Sequence, residues 1–183
     1  MTFTTTAIPG VLIIEPRVFE DDRGHFFESF NQADFEQVVG GQVSFVQDNQ
    51  SLSHAGVLRG LHYQVDRPQG KLVRAVRGSI WDVVVDIRQE SPAFGTWVAC
   101  EISAENRRQI WLPPGLAHGF LVLSAVAEVL YKTTDYYSPA GERCIVWNDP
   151  DLAIEWPLAG EPIVSAKDRQ GMRFATASSR VPS

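Results

Sequence analysis

The chain is poor in cysteine, with Cys100 and Cys144 the only two among 183 residues. Two thiols build no disulfide framework and fit a reducing compartment. Cys100 lies in an apolar alternating segment, which predicts a packed thiol rather than a nucleophile. An excess of positive charge is also missing. The 16 basic and 22 acidic residues give a formal net charge of -6, which argues against nucleic acid as a partner. Long hydrophobic runs are absent as well. The most apolar stretch, Gly119 to Tyr131, is interrupted by Glu128 and is too short to span a bilayer, so no membrane partner is expected. The opening Met1-Thr2-Phe3-Thr4-Thr5-Thr6 has neither the basic nor the apolar region of a secretion signal, and a cytoplasmic location is expected. No repeat, low-complexity tract or linker divides the chain. Residues 1–183 are expected to form one domain, with a frayed tail from about Thr176.

What the chain does have is punctuation. Prolines and glycines cut it into many short apolar runs, the signature of an all-β protein. Leu72 to Val76 and Ser79 to Ile87 read as a hairpin about Arg77-Gly78. Trp97 to Ser103 and Gln109 to Leu112 flank a turn at Glu105-Asn106, Phe120 to Leu123 and Val126 to Thr133 pair about Ser124-Ala125, and Cys144 to Trp147 adds a strand. One helix is predicted, capped by Asn31, with Asp34 in its first turn, Phe35, Val38 and Val39 as its apolar stripe, and Gly40 as its stop. Many short antiparallel strands leave a sandwich or a double-sheet jelly roll. The rigid turn Pro113-Pro114-Gly115, which delivers His118 to the start of a strand, favours the jelly roll. Alternation along a barrel strand places Leu58, Gly60, His62 and Gln64 on one face. Arg59 then faces the other way unless Gly60 marks a bulge.

The chemistry centres on His62, set in Arg59-Gly60-Leu61-His62-Tyr63-Gln64 and followed by Lys71, with a distant Lys167-Asp168 pair. A neutral imidazole, a carboxylate to hold its tautomer and an ammonium to stabilise an enolate suit the removal of a proton from carbon, with neither metal nor organic cofactor. Each residue also has a plainer reading. A lone histidine is more often structural, Asp168 could cap a turn, Tyr131 could be core, and Lys71 could be a solvated hairpin residue. Arg23 could form a surface ion pair with Asp22, and His118 is either a pocket residue or a structural hydrogen-bonder. A metal site wants three or four converging ligands. Here His62-Tyr63-Gln64 stands in place of a His-x-His pair and Lys71 in place of a carboxylate, so only His62 and His118 remain as good ligands and no metal is expected.

Six segments together resemble the dTDP-4-dehydrorhamnose 3,5-epimerase family of cupin-fold sugar-nucleotide epimerases. They are Phe19 to Glu28, Gln47 to Ser51, Leu58 to Gln64 with Gln69 to Lys71, Pro113 to Phe120, Leu130 to Pro139, and Ser165 to Asp168. The resemblance implies an all-β cupin-type jelly roll with a few short helices, a homodimer, and a dTDP-4-ketosugar substrate, dTDP-4-dehydro-6-deoxy-glucose. It implies that His62, paired with Asp168, removes the protons at C3 and C5, that Tyr131 returns a proton from the opposite face, and that Lys71 stabilises the enolate. By the same likeness Arg23 and Arg59 contact phosphate, and Phe19, Phe26, Glu28, Gln47, Asn49, Tyr137 and Lys167 line the nucleotide and sugar site, with His118 beside them. The alternatives are a 3- or 5-monoepimerase or ketoisomerase of antibiotic-sugar biosynthesis, a non-catalytic nucleotide-sugar binding barrel, and a metal-dependent cupin oxygenase.

Overall fold

Short strands dominate the computed structural model, which describes residues 1–178. In chain order they are β1 (Thr2–Thr5), β2 (Leu12–Glu15), β3 (Val18–Asp21), β4 (Gly24–Phe27), β5 (Gln47–His54), β6 (Val57–Gln64), β7 (Lys71–Arg77), β8 (Ser79–Asp86), β9 (Trp97–Ser103), β10 (Gln109–Leu112), β11 (Leu116–Val122), β12 (Val126–Thr133), β13 (Glu142–Cys144) and β14 (Ile163–Val164). Helix α1 (Gln32–Val39) follows β4, and α2 (Ala166–Arg169) and α3 (Phe174–Ser178) close the described chain. One sheet runs β1-β2-β10-β7-β12-β5 and the other β13-β6-β11-β8-β9, with β14 added to β6 in parallel. This is the expected jelly roll.

Each of the three expected strand pairs turns out to be a crossing between sheets. β7 leaves one sheet and β8 enters the other, as do β9 and β10 in reverse, and β11 and β12. The short turns were legible, but a turn between neighbouring strands need not pair them. At Gly78 (φ 68°) a Cβ would lie 2.0 Å from the Val126 carbonyl oxygen, so the corner between sheets admits only glycine. β11 also begins earlier than Phe120, at Leu116, and the last predicted strand is Glu142–Cys144 rather than Cys144 to Trp147.

Alternation fills the space between the sheets. Val73 and Ala75 of β7, Ile80 and Val84 of β8, Phe120 and Val122 of β11, and Ala127 and Val129 of β12 share one buried cluster. The opposite faces of β6 and β8, through Leu61, Tyr63, Val83 and Val85, pack under Ile145, Leu152, Phe174 and Ala177. The C-terminal segment is thereby wrapped across the back of the second sheet and brought beside β6. Thr176, Ala177 and Ser178, expected in the tail, lie in α3, with Ala177 fully buried; residues 179–183 of that tail fall outside the described residues. Helix α1 has its predicted bounds. Asn31 Oδ1 accepts from the Ala33 and Asp34 amides, and Gly40 closes the helix at φ 80°. Phe35 is buried against Phe30, Phe45 and Trp111, whereas Val38, expected in the same stripe, is exposed. An eight-residue helix lying on the face of β2, β10 and β7 buries a narrower face than a bundle helix does.

Candidate active site

Gly60 decides which side chains of β6 meet. Its φ is 114°, and the pairing with β11 slips between His118↔His62 and Phe120↔Arg59. A Cβ at Gly60 would come within 2.6 Å of both Gly119 Cα and the His118 carbonyl oxygen. Gly119 likewise has no room for one, its Cβ falling 2.6 Å from the Arg59 carbonyl oxygen. The two glycines let the strands touch backbone to backbone and reverse the alternation. Arg59 therefore joins the face that carries His62, as the bulge alternative required. Leu58, expected on that face, instead packs outward with Leu121 and Val164.

His62 lines an open polar cleft at one end of the sheets, together with Gln47, Asn49, Gln64, Gln69, Lys71, Tyr131, Tyr137 and Glu142. Its Nε2 lies 2.7 Å from Asp168 Oδ1. The carboxylate is held on its far side, since Gly60 N–H donates to Oδ2 at 3.3 Å. Ser165 Oγ, the cap of α2, accepts from the Asp168 amide at 3.1 Å. Asp168 is thus the histidine's partner and Ser165 the cap. Burial pushes the Asp168 carboxyl up, but the hydrogen bond with His62 and its charge outweigh that and hold it below the ordinary value. An ionised carboxylate on Nε2 fixes the tautomer that leaves the Nδ1 lone pair free.

Lys71 opens β7 on the same parity as Val73 and Ala75, so its side chain enters the barrel rather than solvent. Burial lowers its pKa to about 8, with Asp82 and Glu142 pulling the other way. Tyr131 is raised chiefly by burial, against the opposing charge of Arg59, and so stays a protonated phenol. The Arg59 guanidinium donates to Ser53 Oγ at 3.0 Å. His118 is buried, its Nε2 2.8 Å from Asp82 Oδ2 in the barrel interior, a structural hydrogen bond one strand away from His62.

The rim is built by residues the sequence reading gave only in part. Tyr137 O–H donates to Glu142 Oε2 at 2.6 Å, and Lys167 Nζ donates to the same oxygen. Burial raises the Glu142 carboxyl, but these bonds from Lys167 and Tyr137 prevail and keep it ionised. Glu142, Gln64, Gln69 and Asp82 were missed. Nothing in Gly141-Glu142-Arg143 marks the glutamate, because only the pairing of β13 with β6 sets it opposite Gln64. Cys144 was missed for the same reason. It stands opposite His62, its Sγ 3.9 Å from Asp168 Oδ1, and burial pushes its thiol up to about 12.

Besides His118, four expected site residues are not in the cleft. Phe19, Arg23 and Phe26 belong to the β3–β4 ribbon, which pairs with neither main sheet and lines a separate shallow depression of its own. Phe19 and Phe26 are 52% and 71% exposed. Arg23 pairs with Asp21 at 2.5 Å rather than with Asp22. Glu28, just past the ribbon, accepts from Asn31 Nδ2 at 3.3 Å.

Comparison with known proteins converges on one family. A family model described as dTDP-4-dehydrorhamnose 3,5-epimerase matches residues 5–176. The dTDP-4-dehydrorhamnose 3,5-epimerase of Pseudomonas aeruginosa is 62% identical over 177 residues, 97% of this chain and 98% of that protein. The crystal structure of the Legionella pneumophila dTDP-6-deoxy-D-glucose-3,5-epimerase in complex with dTDP-4-keto-L-rhamnose superposes with a TM-score of 0.95 at 48% identity, covering 99% of this chain and 97% of that one. A 3'-monoepimerase from Streptomyces bikiniensis, in complex with dTDP-quinovose, gives 0.90 at 38% identity over 95% and 88% of the two chains.

Proposed function

The chain belongs to the dTDP-4-dehydrorhamnose 3,5-epimerase family, and on that premise we propose that it converts dTDP-4-dehydro-6-deoxy-α-D-glucose to dTDP-4-dehydro-β-L-rhamnose through the cleft around His62. The observation that carries this reading is the His62–Asp168 contact at 2.7 Å, facing Lys71 and Tyr131 across the same cleft. A ketone at C4 acidifies both adjacent carbons, so one base and one electrophile serve two inversions in turn. His62 Nδ1 accepts the proton from C3 or C5, and the imidazolium that forms is stabilised by Asp168. The Lys71 ammonium takes up the charge developing on the C4 oxygen. Inversion requires a proton from the other face, and Tyr131, kept as phenol by its burial, is the donor.

Arg59 and Lys167 supply positive charge for the diphosphate in a net-acidic protein, with Gln47 and Asn49, which line the cleft, placing the sugar. The exposed ring of Tyr137 offers a stacking face for thymine. The β3–β4 ribbon bears the remaining residues of the family's site but lies apart from this chain's own cleft. It fits a symmetric homodimer in which Phe19, Arg23, Phe26 and Glu28 of each subunit close the cleft of the other. Two unpaired cysteines accord with a cytoplasmic enzyme, and no helix among the described residues is long and apolar enough to cross a membrane.

The test is incubation with dTDP-4-dehydro-6-deoxyglucose in deuterated water, with the label located by NMR. Deuterium at both C3 and C5 is expected, and none at either with His62→Ala. Label at one carbon alone would make this a monoepimerase, and no label would remove the reading.

A further inference from the structure

Cys144 has no part in the proton transfers, yet its thiol lies against the two groups that do. His62 Nε2 and Asp168 Oδ1 are 2.7 Å apart, Cys144 Sγ is 3.9 Å from that same oxygen, and the three ligand atoms all lie within 4.8 Å of one another. We propose that His62, Cys144 and Asp168 form a site for a thiophilic divalent cation, zinc foremost, whose binding switches the epimerase off by capturing its base. The proposal rests on the reading of His62 as that base.

Nitrogen, sulfur and oxygen donors on a tetrahedral zinc stand about 3.3–3.6 Å apart, given metal–ligand bonds of roughly 2.0–2.3 Å. The observed contacts bracket that spacing. The imidazole and carboxylate must part by roughly half an ångström, and the thiol must close by a similar amount on the carboxylate and by up to about an ångström on the imidazole, within the reach of side-chain rotation. Neighbouring groups already orient the donors. The Gly60 amide anchors the far carboxylate oxygen, and β13–β6 pairing sets Cys144 directly opposite His62. One thiolate and one carboxylate balance a dication, so the buried site is neutral when filled.

The electronic consequence follows from which nitrogen the metal takes. In the working tautomer Nε2 carries its hydrogen toward Asp168 and Nδ1 carries the lone pair. A cation on Nε2 takes up that nitrogen's lone pair, so the imidazole proton moves to Nδ1 and the thiol proton is released to solvent. Nδ1 can then no longer accept a proton from carbon. The bound metal is an inhibitor here, and the forward chemistry has no need of it.

Titration of the full-length protein with cobalt(II) should give one bound cation per chain and a thiolate-to-cobalt charge-transfer band, which zinc then bleaches. Zinc should inhibit epimerisation with the same midpoint, and a chelator should restore the rate. Cys144→Ala and Cys144→Ser, checked for folding by thermal unfolding, should both lose the band and bind zinc roughly tenfold or more weakly. Each variant should also resist inhibition relative to its own metal-free rate. Absence of the band in the wild type overturns the proposal, as do variants that bind zinc and are inhibited like the wild type. A cobalt–thiolate band in a protein that exchanges no deuterium into substrate would keep the cation site and overturn the assignment of His62 as base.

Discussion

Replacing Lys71 by methionine should make the protein more stable and nearly inactive. The lysine is 8% exposed, and burial lowers its pKa from 10.5 to about 8 despite the attraction of Asp82 and Glu142. That fall converts to about 3 kcal/mol spent on keeping the ammonium charged in the fold. Methionine has a similar length, fills the same space and carries no charge. The gain depends on pH in a definite way. Below about pH 8 the lysine is charged in the folded and unfolded chain alike, and the fold bears the whole cost. Between about 8 and 10.5 the unfolded chain keeps a proton that the folded chain has released, so wild-type stability rises with pH and the advantage of methionine shrinks to nothing. Urea unfolding of both proteins near the two ends of that window measures this directly. A variant less stable than wild type at neutral pH would refute the argument, and so would one whose advantage is the same at both ends. The same substitution should cost roughly 10²–10³-fold in kcat, the usual loss when a donor to a developing oxyanion is removed. Wild-type turnover should fall as pH rises through about 8, where Lys71 loses its proton.

Tyr131→Phe should keep deuterium exchange at the acidic carbons while failing to complete inversion, because it retains the base and removes the opposite-face acid; full inversion by this variant, read by NMR, would assign the donor elsewhere. Mixing His62→Ala with Arg23→Ala subunits, each inactive alone, should recover about one quarter of wild-type activity, since half the dimers are mixed and each has one whole site. No recovery would mean that the β3–β4 ribbon serves its own chain. Gly60→Ala should destabilise by about 3 kcal/mol or more, from strain at positive φ added to the clash with Gly119 and His118; a change under about 1 kcal/mol in urea unfolding would show that the strands can separate there.

Much of the site was legible because it is written in contiguous segments. His62 with Arg59 and Lys71, Tyr131 with Tyr137, and Lys167 with Asp168 each sit in a motif whose members stay close after folding. Glu142, Cys144 and Asp82 carry no such mark. They become site neighbours through β13–β6 pairing and through the barrel interior, and long-range pairing leaves no trace in the local sequence. The ribbon residues show the converse limit. Phe19, Arg23, Phe26 and Glu28 were expected as site residues from the motif that holds them, yet a single chain does not carry them to its own cleft.

The amino-acid sequence alone determined the all-β class, the turns and the capped helix, and it named the candidate acid–base set, because alternation, glycine and proline chemistry and short motifs act over a few residues. Which sheet each strand joined was decided by tertiary structure. A turn such as Arg77-Gly78 reads the same whether the next strand pairs with its neighbour or crosses the barrel, and only the burial of both faces chooses. The meeting of Arg59 with His62 was likewise settled by the backbone contact of Gly60 and Gly119, a register slip that reverses which side chains face the cleft.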